Sequence, residues 1–265
     1  MKTTNLIILI SLIFVSCNID RGLEPIRSRV QGTITYSGEW PAEPAEIRLV
    51  AATQFPPSGL EDLIIGENLP LNLESQEYAF YLTPGTYKVV GVAWREKDSV
   101  WDILSICGLY FSGADSLAPG EIVISDDRDE VKNIDIHVNR SNAHRITDTK
   151  IAGNITFEGA WPDSVLEVRV IATTKFSLFP TVLPTLLDIS FSDKIEVGTD
   201  SAQYKINTFP GTFVATGVLV FKQNQSLSVQ DILYSGTIGG LNLDPYEVEM
   251  NTIADGPDFN IKFPE

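Results

Sequence analysis

Apolar and polar residues alternate in short runs along most of this chain, and turn residues punctuate them. Val30, Gly32, Ile34 and Tyr36 alternate with Gln31, Thr33 and Thr35, the period-two pattern of a half-buried strand. Ile47, Leu49 and Ala51 alternate with Arg48 and Val50, and residues 78–82 form a third strand. Pro84-Gly85 reads as a type II turn, with Gly85 at the position needing positive φ, and residues 86–94 as the strand that follows. Stretches at 103–111, 121–125 and 133–138 bring the total to about seven strands. Helical spacing appears only at Leu60, Leu63, Ile64 and at Leu183, Leu186, Leu187. Seven short strands with frequent turns predict a two-sheet β-sandwich.

The pattern then starts again. Gly-Thr-Ile-Thr-Tyr-Ser-Gly-Glu-Trp-Pro at 32–41 matches Gly-Asn-Ile-Thr-Phe-Glu-Gly-Ala-Trp-Pro at 153–162, an offset of 121. Glu46-Ile47-Arg48 meets Glu167-Val168-Arg169, Pro84-Gly85-Thr86-Tyr87 meets Pro210-Gly211-Thr212-Phe213 at offset 126, and Asp102-Ile103-Leu104 meets Asp231-Ile232-Leu233 at offset 129. An offset that only grows records loop insertions in one duplicated unit. The expected organisation is all-β. A signal peptide occupies 1–16, a lipidated Cys17 and spacer 17–28, one seven-stranded sandwich 29–139, a linker 140–149, and a second sandwich 150–265. Each copy should own a complete core and fold alone.

The start of the chain has its own logic. Lys2 precedes an apolar run at 6–15, too short to span a bilayer but of signal-peptide length. Phe14-Val15-Ser16-Cys17 resembles a lipobox, which implies cleavage before Cys17 and its diacylation. Asn18 stands where the inner-membrane retention signal of enteric bacteria has Asp, so the resemblance points to the outer membrane. Loss of Lys2 takes the net charge from −16 to −17. Such a surface repels phosphate backbones and anionic lipid, so nucleic acid is excluded as a partner and the acyl chains must do the tethering.

Tyr78, Phe80, Pro84, Gly85, Thr86 and Tyr87, with Tyr204, Ile206, Pro210, Gly211, Thr212 and Phe213, carry a further resemblance. The Tyr-x-Phe-x-x-x-Pro-Gly-Thr-Tyr signature is similar to that of carboxypeptidase-regulatory-like or transthyretin-like (prealbumin-like) sandwiches. It implies non-catalytic modules. A related adhesin branch cross-links a first-strand Lys to a last-strand Asn. Lys150 and Asn260 are the candidates here, but Arg29 and Asp135 in the first copy speak against it.

Little else suggests chemistry. His137 and His144 read as a strand-edge and a linker histidine, with Lys262 at or beside the place of His137 in the second copy. Cys107 reads as an apolar core residue, and the acidic runs at 126–130 and 255–258 as solvated turns rather than calcium loops. No cofactor and no metal is expected. Trp40 and Trp161 correspond and read as packing; Trp94 and Trp101 have no aromatic counterpart and could form a platform for a sugar ring. The leading expectation is a non-enzymatic, outer-membrane-anchored interaction or assembly module of the cell envelope with a protein partner. The alternative is a glycan-binding surface lipoprotein.

Overall fold

The computed structural model describes residues 28–57, 59–113, 119–178, 181–182, 185–222 and 239–263. The described elements are strands and four single 3-10 turns. In the first copy one sheet runs in the order Ile64–Asn68, Pro44–Ala52, Val89–Glu96, Ile106–Leu109, Ile136–Asn139, Arg29–Ser37, Ser75–Tyr81. The strand Ile106–Leu109 pairs antiparallel with both Val89–Glu96 and Ile136–Asn139, and there the sheet folds over on itself. Val30, Ile34 and Tyr36 on one layer meet Ile47, Leu49, Val92 and Trp94 on the other in a single core.

The second copy repeats this pairing. Thr149–Glu158 lies antiparallel to Ser201–Thr208 and parallel to Phe259–Lys262, as Arg29–Ser37 lies to Ser75–Tyr81 and Ile136–Asn139. Gly32 sits opposite Tyr78, and Gly153 opposite Tyr204. Val165–Thr173 pairs with Ala215–Lys222 as Pro44–Ala52 pairs with Val89–Glu96. Its core is a separate cluster built on Ile151, Ile155, Val168, Val170, Phe213 and Ile261.

Several internal bonds are duplicated with the strands. The Thr33 N–H donates to Asp135 Oδ1 at 2.8 Å, and the Asn154 N–H to Asp258 Oδ1 at 2.8 Å. The buried Tyr78 hydroxyl donates to the Ile134 carbonyl at 2.7 Å, and that of Tyr204 to the Pro257 carbonyl at 2.7 Å. Each pair ties the first strand or its neighbour to the chain leading into the last strand. Gly32 is needed at this crossing, because a Cβ there would lie 2.1 Å from the Ile134 carbonyl oxygen. Arg48 is bonded to Glu46 and the Gly66 carbonyl, and Arg169 to Glu167 and the Ser192 carbonyl.

Local details differ from the sequence expectations. The run 86–94 is two strands: Gly85–Tyr87 pairs with Ile122–Ile124, and Val89–Glu96 joins the main sheet. Among the described residues the first copy has ten strands where seven were expected. Gly85 and Gly211 have φ of +159° and +152°, far from the value near +80° at the third position of a type II turn. Pro84 and Pro210 form bends that lead straight into strand pairing. The helical spacing at Leu60–Ile64 resolves into the 3-10 turn Leu60–Asp62 and the edge strand Ile64–Asn68.

A third apolar cluster crosses between the copies. Ala52, Val89 and Leu109 of the first pack with Ile171, Leu186, Ile189, Ala215 and Leu219 of the second, each at most 7% exposed. Ala52, Val89, Ile171, Ala215 and Leu219 lie on the outer faces of the paired central strands, and Leu186 and Ile189 come from the 3-10 turn Leu186–Asp188 and the edge strand Ile189–Phe191 beside them. Phe55 meets Phe191 edge-on at 6.2 Å between ring centroids. A fully buried Val, Leu or Ile side chain is worth about 1.5–3 kcal/mol, so a junction of this kind is large beside a total stability of about 5–15 kcal/mol. Separating the copies exposes this face, and the expectation that each folds without the other takes no account of it.

Candidate functional site

Cys17 and its lipobox lie outside the described residues. Of the two tryptophans assigned to a sugar platform, Trp94 is 1% exposed. Its side chain points inward from Val89–Glu96 opposite Ile47 and stacks on Trp40 at 5.5 Å between centroids. It offers no face to a ligand, and the platform reading is corrected: Trp94 is core. Trp101 is half-buried, with the Arg95 guanidinium 5.7 Å from its ring centroid.

The reason for Trp94 is a coupled exchange between the copies. Val220 takes its place in the second sandwich, opposite Val168. There the space is filled by Phe263, which packs on Trp161 and Phe157 at 4.8 and 6.0 Å. By register, Arg140 occupies the place of Phe263 in the first copy, and its guanidinium lies over Tyr36 and Trp40 at 5.2 and 5.7 Å. Hydrogen bonding changes with it. Trp161 Nε1 donates to the Thr199 carbonyl at 3.2 Å, whereas the equivalent Leu73 carbonyl accepts from Arg140 at 2.9 Å. Trp40 Nε1 and Trp94 Nε1 are buried and have no partner among the described residues.

His137 sits on an exposed face with its ring nitrogens 3.1 Å from the Thr35 and Ser37 hydroxyls. It lies opposite Thr35 as Asn260 lies opposite Thr156, so its counterpart is Asn260 and not Lys262. Cys107 is fully buried, which pushes its thiol well above the ordinary range. Lys150 is level with Ile253 while Asn260 is level with Thr156. Six residues at about 3.3 Å each put them about 20 Å apart along the strand, so no cross-link joins them. Asp126 and Asp129 accept backbone N–H groups of residues 125, 126 and 128 within their own turn.

The residues that converge are those at the junction. A cavity of about 130 Å³ lies there, lined from the first copy by Leu104 and Ile106, from the second by Leu186, Phe191 and Arg169, and from the connecting segment by His144. That segment is not a free linker. Arg145 forms a two-point contact with Glu96 at 2.8 and 2.9 Å, and the Asp148 N–H donates to Asn251 Oδ1 at 3.2 Å. The His144 ring stacks on Phe209 at 3.5 Å and 6°. Burial lowers the His144 pKa to about 4, with Asp188 opposing the shift and Lys175 adding to it. Composition marked 140–149 as polar; nothing in it signalled that one imidazole would be inserted against the second sandwich.

No family model matches the chain, and no curated protein matches it. Solved structures give distant likenesses. A leucine-rich repeat protein from Bacteroides thetaiotaomicron is 14% identical over 89% of this chain and 26% of its own, with a TM-score of 0.33. The chain thus spans about a quarter of that protein. A candidate adhesin from Bacteroides ovatus is 12% identical over 91% of this chain and 94% of its own, with a TM-score of 0.24. A candidate cell adhesion protein from Bacteroides fragilis is 10% identical over the same shares, with a TM-score of 0.25. Likenesses of this size carry no argument about what this chain binds.

Two outcomes are expected. Trp94→Ala should lower stability by about 3–5 kcal/mol in denaturant unfolding. Trp94→Phe should cost much less, because it removes an N–H that has no partner; equal losses would contradict the packing described. His144 is held neutral in the folded chain, so the unfolded chain takes up a proton first as pH falls. Its contribution is complete above about pH 6.5 and is lost down to about pH 4, up to roughly 3 kcal/mol. His144→Gln should therefore flatten the difference in unfolding free energy between pH 7 and pH 4.5; an unchanged difference would show that His144 does not titrate in this window.

Proposed function

We propose that this chain is a lipid-anchored outer-membrane protein of a bacterial envelope. In this reading its paired sandwiches serve without catalysis as an interaction or assembly module for a protein partner. The observation that carries the reading is the junction. Two copies packed through their outer faces present a combined surface in one geometry. A partner contacting both then orders less on binding, the usual benefit of a preorganised surface. The polar groups kept by both copies support it too. Asp135 and Asp258, Arg48 and Arg169 are spent on holding backbone, which is what modules retained for shape require.

The charge of −17 after cleavage at Cys17 favours a partner that is basic or neutral at the contact and leaves membrane attachment to the acyl chains. A glycan partner loses its main support with the burial of Trp94. Mass spectrometry and cross-linking in native membranes test the proposal together. The wild type should carry an acyl addition at Cys17, sediment with the outer membrane, and give a discrete adduct with another envelope protein. Cys17→Ser should stay uncut by lipoprotein signal peptidase and lose the adduct. A mature wild type without acyl addition contradicts the anchor, and an acylated wild type that forms no adduct contradicts the assembly role.

A further inference from the structure

Arg169 is unlike its twin. Both arginines bond a glutamate two residues before them and a carbonyl on the neighbouring strand, but the Arg48 side chain is 34% exposed and that of Arg169 only 6%. The first sandwich covers the second at this point. Nε of Arg169 is bonded to Glu167 and Nη1 to the Ser192 carbonyl at 3.0 Å, and Nη2 has no partner among the described residues. Arg169 also lines the junction cavity, whose other walls are mostly Leu, Ile and Phe. Arg169 Nη2 is thus left with hydrogen-bonding capacity at a mostly apolar space of about 130 Å³. An apolar cavity of about 150 Å³ is large enough to take up benzene.

We propose that the junction cavity is a binding site for a small uncharged molecule with an apolar ring or short chain and one hydrogen-bond acceptor, held by Arg169 Nη2. The acceptor is uncharged because Glu167 already balances the guanidinium and exposed Asp193 adds a second negative charge at the lining. A carboxylate would then be buried without its own cation, and an ammonium would face Arg169. Because the walls come from both sandwiches, a bound molecule also bridges them. The proposal stands apart from the anchoring and assembly role.

Titration of the full chain with cyclohexanone, read from isoleucine and leucine methyl resonances, tests it. Saturable one-to-one binding in the millimolar range is expected, with shifts at Ile106 and Leu186. Cyclohexylammonium and cyclohexanecarboxylate should bind at least about tenfold more weakly. Arg169→Gln should weaken cyclohexanone by about tenfold, and Leu187→Trp, which fills the space from its wall, should abolish binding. Absence of saturable shifts, equal affinity for the ammonium, or unchanged affinity in a folded Leu187→Trp chain would each overturn the proposal. If Arg169→Gln does not fold, the comparison of the three probes on the wild type still decides.

Discussion

Apolar packing between the outer faces of two central sheets is the constraint on which the rest of this molecule depends. A sandwich ordinarily buries one face of each sheet and leaves the other to water. Here Ala52 and Val89 on one side and Ile171, Ala215 and Leu219 on the other make the second face apolar as well. One sheet of each sandwich is thereby covered on both faces. The buried Arg169, the stacking of His144 on Phe209 and the ordering of the segment between the copies all follow from that contact.

Duplication explains what the copies share, and compensation explains where they part. The first-strand glycine, the buried tyrosine hydroxyl and the aspartate that receives a first-strand N–H recur because they fix the parallel crossing of first and last strands. The far end of each core was free to change as long as volume was conserved. Trp94 with Arg140 fills one, and Val220 with Phe263 fills the other. The first solution leaves two indole N–H groups without partners among the described residues, a cost of about 1–3 kcal/mol each when nothing replaces water. The second bonds its indole to Thr199.

Much of the fold was legible because strand burial writes a period of two. Val30, Ile34 and Tyr36 face the core as their alternation indicates, but the repeat offset does not only grow: Pro84 and Pro210 stand 126 apart, whereas Asp135 and Asp258, in equivalent bonds before the last strands, stand 123 apart. Signals that depend on tertiary context were not legible. Ala52 shares a strand with Ile47 and Leu49, and no pattern says that a second sandwich covers its side. The lone pair Trp94 and Trp101 carries the composition of a binding surface, yet its inward or outward direction is set by register with Ile47. The Pro-Gly pairs marked changes of direction correctly but not their backbone geometry, since a bend into a two-stranded pairing serves the same purpose as a tight turn. The junction cavity could not be foreseen, because its walls come from residues far apart in the chain.

If the shared cluster holds the two sandwiches as one body, neither can lose its strands without exposing the outer face of the other. Differential scanning calorimetry of the intact mature chain tests this directly. The account predicts a single transition in which the calorimetric and van't Hoff enthalpies agree for the whole chain. Two separable transitions, each with the enthalpy of one sandwich, would contradict it.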